Sequence, residues 1–178
     1  RAAFMQHSED ARKLAESMVR VGTELGIEVK AQLTQMDHPI GEWLGNSHEI
    51  AESIACLKGM GPHDTMELVY AQANALGFDI AEVIANGSAL NEFKLMLERQ
   101  GVDAKTAQQL VDEPWSVLKR APQQYTIQSE QAGYVADMDA LAIGQVLCEA
   151  GAGRSMQGEE IDHGIWENID IWPTSMSC

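Results

Sequence analysis

The chain has 178 residues, 45% of them hydrophobic and 22% charged, which is enough apolar material for one buried core and too much for a disordered segment. Lys and Arg number 12 against 27 Asp and Glu, a net charge of −15. A surface this acidic repels phosphate backbones and anionic lipid, so the expected partners include no nucleic acid and no membrane.

Neither an 18-residue apolar run nor a charged-then-apolar leader is present, so no transmembrane helix or signal peptide is expected. The start at Arg1 suggests a fragment or a processed chain. Cys56, Cys148 and Cys178 match no metal spacing and cannot pair evenly, which points to a reducing compartment and a cytoplasmic location. Asn86-Gly87-Ser88 fits a glycosylation sequon, a triplet common by chance.

Helical period runs from Ser8 to Leu25, with Ser8 as N-cap and Glu9 and Asp10 in an acidic first turn. Ile27 to Leu33 alternates apolar and polar residues, the period of a strand. A helix, a glycine turn and a strand favour an α/β arrangement with a parallel sheet. A loop follows from Gln35 to Gly45, punctuated by Pro39, Gly41 and Gly45. Asn46 or Ser47 can cap a helix to about Leu57, and Asp64 another to Leu76. A short helix spans Asp79 to Ala85, a longer one Ser88 to about Gln100, and a weaker one Thr106 to Val111. Tyr125–Ser129 and Gly133–Met138 read as short strands. Asp139 begins a helix to about Glu149, stopped by the glycines of Gly151–Arg154. From Gly158 the tail is acidic and poorly patterned, and Trp166 and Trp172 have no periodic partners.

Few constellations carry chemistry by themselves. His48 and Glu52 are four apart and share a helix face, so they could hold an ion together. No second His or third ligand accompanies them, and a solvated helix face is the more ordinary reading. The Pro/Gly loop before them offers free carbonyls and amides that, with one carboxylate such as Glu52, suit a hard cation, although a plain strand-to-helix connection is commoner. Gly151-Ala-Gly-Arg154 follows a helix and lacks a third glycine, so it is no dinucleotide fingerprint. Composition and pattern alone yield an acidic α/β domain without a reaction.

Thr34–Ser53, TQMDHPIGEWLGNSHEIAES, resembles the T-x-M-x-x-P-L/I-G-x-x-x-G-N-x-x-E-V/I-x-E segment of the thymidine and pyrimidine nucleoside phosphorylases. Ala3-Phe4-Met5, Leu57–Asp64, Gly87–Phe93, Gln100-Gly101, Gly133–Val135, Ile143-Gly144, Gly151–Arg154 and Ile161-Asp162 continue the likeness in one register. The resemblance implies the carboxy-terminal part of such a protein. Residues 1–122 would belong to its large α/β domain, 123–165 would begin a C-terminal β-containing module, and 166–178 form a divergent tail unlike the family's glycine-rich β segment.

The activity implied is reversible phosphorolysis of thymidine or uridine to the base and a (deoxy)ribose 1-phosphate, with a pyrimidine nucleoside and phosphate as partners and a homodimer as assembly. The family's phosphate-binding Lys-Ser-Thr segment and its pyrimidine-gripping Arg, Ser and Lys have no counterpart here. The resemblance therefore implies no catalytic residue in this chain and no activity for it alone, and places only Phe4 against the base. Some bacterial members hold a potassium ion with two loop carbonyls and a glutamate, which correspond to Ile40, Trp43 and Glu52; Trp43 replaces the small residue usual there. The alternative is a catalytically dead module that partners a full-length phosphorylase.

Overall fold

The computed structural model describes residues 5, 7–35, 37–123, 125–128, 133–154, 158 and 160–168. In chain order it contains α1 (Ser8–Glu24), β1 (Trp43–Leu44), α2 (Asn46–Leu57), α3 (His63–Ala75), α4 (Ala81–Ala85), α5 (Ser88–Arg99) and α6 (Ala104–Asp112). A 3-10 turn (Pro114–Ser116), α7 (Ala140–Leu147) with a π turn over Cys148–Ala152, and β2 (Glu167–Asn168) follow. The α/β class holds, with helices dominating, but the one small sheet among the described residues is antiparallel rather than the expected parallel: β1 pairs with β2, Trp43 opposite Asn168 and Leu44 opposite Glu167. Among the described residues, no helix is long and apolar enough to cross a membrane.

The helices form close to where their apolar period places them, α4 being trimmed to Ala81–Ala85. α6 starts two residues before its expected first residue because the Asp103 carboxylate accepts the Thr106 N–H at 3.0 Å and satisfies an orphan donor of the first turn. Asp139 does the same for α7, accepting from Leu141 and Ala142 at 3.0 and 3.1 Å. Before α5, the Asn86 side chain accepts the Ser88 N–H at 2.9 Å, a turn-forming role for the residue of the sequon.

Three expected caps are corrected at the entries of helices. α1 begins at Ser8 itself and has no side-chain cap. α2 is preceded by Gly45 rather than capped by Asn46 or Ser47. Asn46 instead donates from Nδ2 to the Ala152 carbonyl at 2.8 Å, and Ser47 is buried. α3 begins at His63 after Pro62 without a side-chain cap, and Asp64, inside its first turn, accepts the Gly41 and Thr65 N–H groups instead.

The expected strands are corrected as well. Ile27–Leu33, Tyr125–Gln128 and Gly133–Met138 carry no ladder pairing, and Ser129 lies outside the described residues. Alternation prepares a segment for a sheet but only a neighbouring strand makes one. The first segment is tied instead by Ile27 N–H to the Gly22 carbonyl at 2.8 Å and by Gln32 Nε2 to the Ala71 carbonyl at 3.0 Å, and Ile27 and Leu33 stay exposed. Tyr125, Ile127 and Tyr134 are exposed in the same way.

The described core is small. Ile54 of α2, Met66 of α3 and Ala107, Leu110 and Val111 of α6 are its buried apolar residues. Lys58, just past α2, donates from Nζ to the Val111 carbonyl at 2.6 Å and ties the ends of α2 and α6 together. Since Ile54 is 1% exposed, Ile54→Ala is expected to cost about 2–5 kcal/mol in cavity and transfer terms. Ile50→Ala, on the 40% exposed side of the same helix, should cost under about 1.5 kcal/mol. Urea unfolding midpoints of the two variants check the difference, and equal losses would mean that α2 does not face the core with Ile54.

Candidate functional site

The loop from His38 to Gly45 lacks a hydrogen-bond ladder over most of its length, so its amides need other acceptors. Acidic side chains of α2 and α3 supply them. Gly41 N–H donates to Asp64 Oδ2 at 3.0 Å, while Glu42 and Trp43 N–H both donate to Glu52 Oε2 at 2.8 and 3.1 Å. Gly45 N–H donates to Glu49 Oε1 at 3.1 Å.

The turn is possible because Gly41 adopts φ +80 and leaves no room for a Cβ, which would collide with the Glu52 carboxylate. Beside it opens a cavity of about 250 Å³ lined by Glu42, Trp43, Glu52, Met60, Pro62 and Trp115, among others. Burial pushes the Glu52 carboxyl above its usual range; the two amides oppose that rise, and the charges of Glu42 and Asp64 add to it. Cys56, one turn along α2, is raised chiefly by burial and then by the Glu52 charge, so its thiol is poorly suited to nucleophilic work.

On the other side of the turn stands His48, which the solvated-face reading left in water. It is 2% exposed, and its Nδ1 is buried without a hydrogen-bond partner. Its ring lies 4.4 Å from Trp166, 4.5 Å from Trp115 and 5.0 Å from Trp43, centroid to centroid. Arg120 covers Trp115 with its guanidinium carbon 3.8 Å from the ring centre, a cation–π contact. Desolvation first, and the Arg120 charge second, lower the His48 pKa from 6.5 to about 4, so the imidazole is neutral at ordinary pH.

The structure therefore brings Trp43 and Glu52 together, with Ile40 half-buried immediately before the Gly41 turn. It does not make His48 and Glu52 a shared ion site, because the imidazole sits in the tryptophan cage while the carboxylate receives loop amides. Among the described residues, no three His, Cys, Asp or Glu side chains are gathered to hold a metal ion. Phe4 lies outside the described residues. Asp64, Trp115, Arg120 and Trp166 escape sequence reasoning because each acts on a residue far from it in the chain. The lone hint was Trp166, a large aromatic with no periodic partner and hence a candidate for aperiodic burial.

No protein-family model matches the chain. Individual relatives do. It is 37% identical over 181 residues to a thymidine phosphorylase of Rattus norvegicus, covering 92% of this chain and 38% of the relative. It is 36% identical over 176 residues to a pyrimidine-nucleoside phosphorylase of Bacillus subtilis, covering 92% and 40%. A thymidine phosphorylase of Mycobacterium tuberculosis is 32% identical over 178 residues, covering 96% and 39%.

Over these residues the chain is a partial member of the thymidine/pyrimidine-nucleoside phosphorylase family. It spans about two-fifths of the length of these curated relatives. In this segment the amide-bound Glu52 and the caged His48 flank one turn, and the titration of His48 gives that arrangement a measurable signature.

A depressed folded-state pKa contributes stability that is present above the unfolded value of 6.5 and is lost as pH falls from there through about 4. Denaturation midpoints between pH 7 and pH 4 are therefore expected to fall more steeply for the native chain than for His48→Phe, which keeps a ring in the cage and cannot protonate. Parallel pH profiles for the two would show that His48 is not held neutral by burial.

Proposed function

We propose that the protein carrying this chain is a pyrimidine nucleoside phosphorylase, a cytoplasmic pentosyltransferase that acts as a homodimer. An oxygen of phosphate attacks the anomeric carbon of thymidine or uridine, and the carbon–nitrogen bond breaks toward the base. The base leaves with the electron pair and takes up a proton, and the sugar leaves as a 1-phosphate. Charge growing on the departing ring calls for donors aimed at it, and joint binding of phosphate and nucleoside removes an entropic barrier. The observation that carries the reading is the likeness at 36–37% identity over 92% of the chain to proteins named for this activity.

Within that protein, the role assigned to this chain is support of the cleft rather than the bond-breaking step. Its Glu52 cavity is lined by Glu42 and Glu52 and no cationic side chain, so it repels phosphate and favours positive charge. Phe4 is proposed to pack against the base. The carbonyls of Ile40 and Trp43 with the Glu52 carboxylate are proposed to hold a potassium ion. The donor set fits: a desolvated carboxylate already strained by Glu42 and Asp64 gains from added positive charge, and oxygen ligands suit a hard cation. The ion would supply electrostatic order to the turn, while the Gly41, Glu42 and Trp43 amides keep it folded onto α2 and α3.

The reading is tested by incubating the chain, and a longer reading frame that contains it, with thymidine and with uridine, each with and without phosphate. Release of free base that depends on phosphate is expected from the longer protein and not from the 178-residue chain. Absence of release from any longer form would overturn the enzyme reading and favour the non-catalytic partner.

The potassium site has its own check. Raising KCl at constant ionic strength, with choline as the counter-cation, is expected to raise the thermal midpoint of the native protein, since a ligand bound to the folded state stabilises it. Glu52→Gln keeps an oxygen acceptor for the Glu42 and Trp43 amides but removes the charge, and should abolish the potassium-dependent rise. A rise of equal size in Glu52→Gln would place the ion elsewhere.

A further inference from the structure

The segment from Ile161 to Asn168 has no regular structure before its last two residues, yet its polar and aromatic contacts converge on one place. Asp162 N–H donates to the Gly151 carbonyl at 2.9 Å and Ala121 N–H donates to the Gly164 carbonyl at 2.9 Å. Ser47 N–H, in the first turn of α2, donates to the His163 carbonyl at 3.2 Å. Gly45, at φ +117, has its α-carbon against the Ile165 carbonyl and the Trp166 backbone, where any Cβ would clash. Trp166 then stacks on His48 at 22° between planes, and β2 pairs with β1.

The Ser47, Gly45, His48 and β1 contacts land on residues 43–48, which also present the Trp43 amide to Glu52 and the Gly45 amide to Glu49, while the Gly151 and Ala121 bonds anchor the segment on either side. His48 is the joint. With Nδ1 unpartnered and the ring enclosed by Trp43, Trp115 and Trp166, it is held in place chiefly by aromatic packing, and Trp166 contributes the closest of the three ring contacts. Removing that wall exposes an imidazole face and frees β1 from its one partner strand in the described sheet.

We propose that Ile161–Asn168 is a strap that shapes the Gly41–Leu44 turn through the His48 cage, and that docking of the strap and binding of a cation at the turn strengthen each other. The coupling half rests on the potassium reading of the turn; the shaping half stands without it. Coupling of this kind is reciprocal: if the docked strap tightens cation binding by some factor, the bound cation tightens docking by the same factor. Trp166 and His48 are thereby positioning residues, acting on Glu52 through the turn.

Amide hydrogen exchange resolved by residue tests both halves in the native chain, Trp166→Ala and Trp166→Phe, each titrated with KCl against choline chloride. Trp166→Ala is expected to speed exchange at Glu42, Trp43 and Ser47 about tenfold while the Ile54 amide keeps its protection, and Trp166→Phe should restore most of the slowing. Potassium should slow exchange at Glu42 and Trp43 and also at Ser47, and its half-saturating concentration should rise about tenfold in Trp166→Ala, within the range of ordinary coupling.

Unchanged exchange at Glu42 and Trp43 in Trp166→Ala overturns the strap. Potassium protection in the native chain with the same half-saturation in Trp166→Ala overturns the coupling and leaves the potassium reading standing. No potassium effect in the native chain overturns that reading together with the coupling, while faster exchange in Trp166→Ala still supports the strap. Should Trp166→Ala lose protection at Ile54 as well, Trp166→Leu replaces it under the same criteria.

Discussion

An irregular loop that passes close to a core must find acceptors for its amides, and here four of them are met by carboxylates. Gly41, Glu42, Trp43 and Gly45 donate to Asp64, Glu52, Glu52 again and Glu49. An amide left unmet in such a place costs about 1–3 kcal/mol, so the arrangement fixes where α2 and α3 can stand relative to the loop. It also fixes the glycine at position 41, because the carboxylate that accepts the amides occupies the space of a side chain.

Satisfying donors with carboxylates concentrates negative charge. Glu52 is desolvated with Glu42 and Asp64 nearby, and its raised pKa is the record of that cost. The same gathering of charge makes the turn a better host for a cation than for an anion, in line with a chain that carries −15 overall. The cavity beside Glu52 is lined by no cationic side chain, so it suits an anion poorly.

The tryptophan cage solves a different problem. Burying an imidazole is affordable when it is neutral, and desolvation together with Arg120 keeps His48 so. The rings around it contribute apolar contact in the tilted and stacked geometries that aromatic pairs prefer. Because Trp43, Trp115 and Trp166 come from three separate stretches of chain, their shared histidine is where the last described residues become part of the fold.

Much of the helical framework was legible in the residues themselves. Asp139 with the apolar run after it set α7, and the period from Asn46 to Leu57 set α2 to its last residue, since caps and 3.6-residue spacing act within a few positions. The likeness of Thr34–Ser53 to the phosphorylases was legible too, whereas the bond from the Trp43 N–H to Glu52 was not. Sequence could not decide whether Ile27–Leu33 became a strand, because a ladder needs a neighbour and period cannot supply one. Nor could it show that His48 is buried, that Asp64 holds Gly41, or that Trp166 returns to β1. Those contacts span 23 to about 120 residues of chain, and only the packed structure decides which distant groups meet.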